Sequence, residues 1–162
     1  MGPHLRAFYS KGLFFPIDKF FPSSLHYKNP FLQALCSANL GIANLLVMAM
    51  EKREGVPLEE AKKKIFMRDS RGLIVKSRSS GGISRQKEVF AQEHVEMIDL
   101  GEIVKDVRPS VLIGASSQPN VFTEEIVKDM CSFTENPVIF ALSNPTSKAE
   151  CTAEQVFSVL EN

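Results

Sequence analysis

Pro137-Val138-Ile139-Phe140-Ala141-Leu142-Ser143-Asn144-Pro145 is an apolar run of five residues held between two prolines. It is too short for a buried helix, and Val138 and Ile139 are β-branched, so it reads as a buried strand that stops abruptly at Ser143-Asn144-Pro145. Upstream, Val111-Leu112-Ile113 repeats the pattern and runs into a turn over Gly114–Asn120. Further back, Ile65-Phe66-Met67 ends at Asp69, and Gly72 opens Leu73-Ile74-Val75, which together read as strand, turn, strand.

Helical patterns fill the gaps between these runs. Ala38–Glu54 is apolar almost all round in its first half, charged in Glu51-Lys52-Arg53-Glu54, and stopped by Gly55. Leu58–Lys64 follows Pro57 and places Glu59 with Lys63, and Glu60 with Lys64, at i,i+4. Ser77–Arg85, with Gly81-Gly82, reads as a surface loop. Glu102–Val107 is a short helix closed by Pro109. Thr123 is placed to cap Glu124–Cys131, and Thr152 with Gln155 forms a capping box before the last helix. Short apolar strands alternating with amphipathic helices predict an α/β layered fold with a mostly parallel sheet. In such sheets ligands lie beyond the carboxyl ends of the strands, which singles out Asp69, Gly114–Ser117 and Ser143–Asn144.

Composition narrows the function classes. The chain has 162 residues with nineteen basic and nineteen acidic side chains, so no global field points to nucleic acid or an anionic membrane. No apolar run approaches the ~18 residues that span a bilayer. Cys36, Cys131 and Cys151 are odd in number and lack metal-ligand spacing, as expected of reduced thiols in a reducing compartment. A cytoplasmic home is expected, with the mitochondrion as the alternative because Arg6, Lys11, Lys19 and Lys28 make the leader faintly transit-peptide-like. The first thirty residues, with Pro3, Pro16, Pro22 and Pro30 and the pairs Phe14-Phe15 and Phe20-Phe21, show no period of 2 or 3.6.

Three features carry possible chemistry. An acid at the end of the second strand of a dinucleotide fold bonds the adenosine ribose, and Asp69 stands in that place; a plain turn former is the competing reading. Arg71, Lys76, Arg78, Arg85 and Lys87, interleaved with serines, suit a 2′-phosphate or are an ordinary solvated loop. Asn144 in its proline turn could hydrogen-bond a carboxylate or carboxamide, or could merely end the strand. His94 has no partner at catalytic or metal-binding spacing and reads as a surface or packing residue. Cys36 has no nearby base.

Three blocks go beyond pattern. Leu40-Gly41-Ile42-Ala43-Asn44-Leu45-Leu46-Val47-Met48-Ala49-Met50-Glu51-Lys52, then Asp69-Ser70-Arg71-Gly72-Leu73-Ile74-Val75-Lys76, then Pro137 through Glu154 resemble the nucleotide-binding domain of malic enzymes, in that family's order. The resemblance implies a Rossmann-like α/β domain, incomplete here, over residues 34–162, preceded by an irregular Phe/Pro-rich leader over residues 1–33. It implies oxidative decarboxylation of malate to pyruvate with NAD or NADP and magnesium or manganese. Carried over by position, Ala38 and Gly41 would line the cofactor's glycine-rich turn and Asp69 would meet the ribose. Ser70, Arg71 and Lys87 would sit near a 2′-phosphate, and Gly114, Ala115, Ser116 and Ser117 would pass beside the cofactor. Asn144 would approach the malate and nicotinamide end.

Departures from the family pattern shape the expectation of activity. Ala34 and Cys36 replace the first two glycines of the fingerprint, and Asn39 replaces its small third residue. A side chain at Cys36 should crowd a pyrophosphate. Gly81-Gly82 resembles an insertion, and Gln118-Pro119-Asn120 resembles a variant of some bacterial members. The family's tyrosine acid, lysine base and metal-binding carboxylates lie upstream of the resemblance, so the expectation is a piece of a malic enzyme that is inactive alone. Two other readings stand beside it: a non-catalytic module that binds nucleotide or docks on a full-length subunit, and a chain that does not fold stably.

Overall fold

The computed structural model describes residues 6–9, 30–33, 37–79 and 81–160. Six strands are assigned among them: β1 (Arg6–Tyr9), β2 (Pro30–Gln33), β3 (Phe66–Asp69), β4 (Gly72–Leu73), β5 (Val111–Gly114) and β6 (Val138–Ala141). The helices are α1 (Ser37–Glu54), α2 (Leu58–Lys63), α3 (Arg85–Glu88), α4 (Leu100–Val107), α5 (Glu124–Phe133) and α6 (Ala153–Leu160), with a 3-10 turn at Thr146–Lys148. The class is α/β. The strands are short, at most four residues.

The strand order is β1-β6-β5-β2-β3-β4. Every neighbouring pair from β1 through β3 runs parallel, and β4 folds back antiparallel on β3. β2 lies between β5 and β3, with Gln33 level with Gly114 on one side and with Arg68 on the other. Gly114 in turn is level with Ala141. Proline is tolerated here because Pro30 is the first residue of β2, where a missing N–H does not interrupt the ladder.

Two of these strands come from residues 1–33, the stretch expected to hold no regular element. Their local pattern is uninformative because a short strand in a parallel sheet takes its stability from the strands it pairs with, β6 for β1 and β3 with β5 for β2, rather than from its own period.

The apolar strands divide their side chains between two layers. On one face Leu112 and Ile139 pack with Ile103, Val104, Phe122, Val127, Met130 and Val156 from α4, α5, α6 and the turn before α5. On the other, Val111, Ile113 and Val138 pack with Ala43, Leu46, Val47 and Met50 of α1 and Ala61 of α2. Alternation along β5 produces this split, because successive side chains of a strand point to opposite faces. The buried positions of α1 recur at i, i+3, i+4 and i+7, leaving Leu45 and Met48 exposed on its outer side.

Several local readings shift by a residue or two. Glu59 pairs with Lys62 at i,i+3, 2.7 Å away, in place of the expected Lys63. α4 begins at Leu100, since the Asp99 carboxylate accepts from the Glu102 N–H and caps it. β4 stops at Leu73, and Val75 instead bridges Gln92. The Thr123 cap and the Thr152–Gln155 capping box form as read, the latter with reciprocal bonds of 2.8 and 3.2 Å. Among the described residues, no helix is long and apolar enough to cross a membrane.

Candidate functional site

Parallel pairing brings the carboxyl ends of β2, β3, β5 and β6 to one edge of the sheet. α1 starts at Ser37, four residues past the end of β2, so Ala38 lies in its first turn at this edge. Gly41, one turn further, is exposed, with open space where a Cβ would stand. Asn39, which takes the fingerprint's small position, is fully buried. Ala34 and Cys36 lie outside the described residues.

At the end of β3, the buried Asp69 carboxylate is gripped from four directions. Oδ1 accepts from the Arg71 N–H and one Arg78 guanidinium nitrogen, and Oδ2 from the other Arg78 nitrogen and Lys87 Nζ, each at 3.0 Å. A carboxylate offers about four acceptor positions, and all are occupied from within the chain. Burial pushes this carboxyl up, but the bonds from Arg78, Lys87 and the Arg71 amide outweigh it and bring it down to about 2.

Four of the five cations that sequence grouped together separate into different roles, and Arg85, exposed, opens α3. The Arg78 side chain is almost wholly buried (3% exposed) and also donates to the carbonyls of Gly72 and Leu73, so it clamps the β3–β4 turn. Lys76 pairs with Glu93 at 2.8 Å on the surface. Arg71, exposed, donates to the Gly81 carbonyl. Lys87, reached by α3, remains partly exposed against Asp69. Ser70 is exposed beside them. His94 is not isolated: its Nε2 stands 2.8 Å from Asp106 and its ring meets Phe66 edge-on.

At the ends of β5 and β6 a second carboxylate organises the backbone. Glu150 is fully buried, and its Oε1 accepts from the Ser116 N–H at 2.8 Å, the Ser116 hydroxyl at 3.0 Å and the Ser143 hydroxyl at 2.5 Å. The Ser143 N–H reaches Oε2 at 3.4 Å, and Ser143 Oγ accepts from the Ser117 N–H at 2.8 Å. Gly114 is required: a Cβ there would stand 2.5 Å from Glu150 Cγ and 2.8 Å from Phe122. Ala115 is half-buried, while Ser117 (φ 56) and Asn144, the residue before a cis proline, face outward.

Magnesium or manganese does not fit the described residues. Asp69 and Glu150, the two buried carboxylates at this edge, are already bonded to donors of the chain, and no three His, Cys, Asp or Glu side chains converge elsewhere. Cys151 is buried and burial pushes the Cys131 thiol up, so neither is poised as a nucleophile.

A family model described as malic enzyme, NAD binding domain, matches residues 25–162. The chain belongs to the malic enzyme family. It is 57% identical over 129 residues to an NADP-dependent malic enzyme of Columba livia, covering 80% of this chain and 23% of that protein. Against a mitochondrial NADP-dependent malic enzyme of Homo sapiens it is 56% identical over 129 residues, 80% of this chain and 21% of the relative. The chain therefore spans under a quarter of the length of these malic enzymes.

Two residues of this malic enzyme domain escaped sequence reasoning. Glu150 sits in the family block but follows Lys148 in a polar stretch, where a carboxylate reads as surface. Arg78 was grouped with solvated cations; an opposite charge nine residues from Asp69 was the available signal, without a helical period to turn it into a contact.

Proposed function

We propose that this chain is a nicotinamide dinucleotide-binding segment of a malic enzyme, taking NADP or NAD along the carboxyl edge of its sheet. The observation that carries the reading is the strand order around β2: the chain passes to β3 on one side and returns to β5 and β6 on the other. Such a switch point opens a crevice at the strand ends, and dinucleotides bind across it in doubly wound, Rossmann-like sheets.

Ala38 and Gly41 of α1 would then face the pyrophosphate, a helix start being favourable for anions. Asp69, Ser70, Arg71 and Lys87 would serve the adenosine half. Because Asp69 is saturated, a ribose contact needs Lys87 to leave it; a 2′-phosphate attracts Lys87 and frees one acceptor position of Oδ2, beside the one Arg78 keeps, for the remaining 3′-hydroxyl. This exchange favours NADP. Gly114, Ala115, Ser116, Ser117 and Asn144 would flank the nicotinamide half.

Calorimetric titration of the folded chain with NADP and then NAD tests the reading. Binding tighter than roughly millimolar supports it, and no heat from a folded protein overturns it. The chain alone is expected not to decarboxylate malate, since its described carboxylates offer no metal seat. Malate-dependent NADPH formation, with Mg²⁺ present and host malic enzyme absent, would overturn that part. The cytoplasm is the proposed compartment, with the mitochondrion the alternative; imaging of a tagged chain decides between them.

A second reading, docking on a full-length malic enzyme subunit, is favoured by the exposed Leu45 and Met48 on the outer side of α1. Co-elution with purified full-length enzyme supports it, and separate elution counts against it.

A further inference from the structure

Glu150 is a buried carboxylate whose side-chain partners are two serines placed on two different turns. Ser116 belongs to the turn after β5 and Ser143 to the turn after β6. The bonds are directional. Ser143 Oγ spends its single hydrogen on Glu150 and accepts the Ser117 N–H on a lone pair, so one carboxylate orders Ser116 directly and Ser117 through a relay. Glu150 is also fixed from behind, because its carbonyl accepts from the Phe122 N–H at 3.0 Å and its methylene lies where a Gly114 side chain would go.

We infer that Glu150 is a positioning residue that sets the separation of the Gly114–Ser117 and Ser143–Asn144 turns, and through them the seat of the nicotinamide half of the dinucleotide. The inference rests on the nucleotide-binding reading above. Its reach is limited by the fold: the adenosine half, at the end of β3, lies across β2 from these turns, so Glu150 acts on one half of the ligand only. A carboxylate accepts from both turns more strongly than a neutral group would. An amide at residue 150 keeps the size, but its neutral oxygen accepts more weakly from the three donors that stand on Oε1, and its nitrogen faces the Ser143 N–H, donor against donor.

The test compares NADP with adenosine 2′,5′-bisphosphate, which lacks the nicotinamide half, by calorimetric titration of the wild-type chain, Glu150→Gln and Ser143→Ala. Ser143→Ala removes the relay while leaving Glu150 and Ser116 in place, and covers the case in which Glu150→Gln does not fold. Both variants are expected to weaken NADP about tenfold, roughly what one charge-assisted hydrogen bond is worth, with the bisphosphate unchanged. The Ser116 and Ser117 amide proton resonances should move upfield in Glu150→Gln. Equal weakening of both ligands, as general destabilisation produces, overturns the inference, as does unchanged NADP binding. A wild-type chain that binds neither ligand overturns the nucleotide-binding reading itself and this inference with it.

Discussion

The Lys87 ammonium stands 3.0 Å from Oδ2 of Asp69, eighteen residues earlier in the chain, on an oxygen that Arg78 already holds. The two cations differ in access: Arg78 is sealed beneath the β3–β4 turn, while Lys87 keeps an open side. One carboxylate thus has a structural partner and an exchangeable one.

Replacing the exchangeable partner should change selectivity more than stability. Lys87→Gln is expected to weaken NADP about tenfold or more and to leave NAD within a factor of about two, because only NADP offers a 2′-phosphate. Parallel titrations of the two dinucleotides check this. Equal losses would mean that Lys87 does not read the 2′-phosphate.

Removing the carboxylate should strand the buried partner. Asp69→Asn leaves Arg78 without its counter-charge, and breaking a buried pair from one side costs about 3 kcal/mol or more. Urea unfolding should show a lower midpoint with an unchanged slope.

Acid sensitivity follows from the same carboxylate. Asp69 titrates near 2 in the folded chain, below its unfolded value of about 3.9. Its contribution is therefore fully present above about pH 4 and is lost as pH falls toward 2, a change of about 1–2 kcal/mol. A urea midpoint that declines over this window in the wild type, and declines less in Asp69→Asn, is the expected outcome.

At Gly114 the constraint is steric. Gly114→Ala puts a methyl 2.5 Å from Glu150 Cγ and 2.8 Å from Phe122, and should destabilise by about 1–3 kcal/mol. Thermal unfolding measures it. A Tm equal to wild type would mean that Glu150 and Phe122 do not close on Gly114.

Helix ends give a smaller, independent effect. Thr152→Ala removes one half of a capping box whose other half is Gln155, and should cost about 1 kcal/mol without changing nucleotide affinity.

Local chemistry was readable wherever it was self-contained. Val111-Leu112-Ile113 and the run after Pro137 were strands on composition alone, and Thr123 and Thr152 announced helix starts because a cap bonds to an amide two or three residues on. The place of Asp69 at a strand end was readable for the same reason. Its partners were not: Arg78 reaches it only because β4 folds back on β3, and Lys87 only because the short α3 returns the chain.

The amino-acid sequence by itself determined which segments are apolar strands, where several helices begin, and, through three blocks of residues, the malic enzyme resemblance. Tertiary structure alone decided that Pro30–Gln33 lies between β3 and β5, that Asp69 is saturated, and that Glu150 is buried against Ser116 and Ser143. The division has a physical cause. Hydrophobic periodicity and capping act within a few residues, whereas a buried carboxylate is stable only through donors that folding brings from 34 residues away, and no local pattern encodes that meeting.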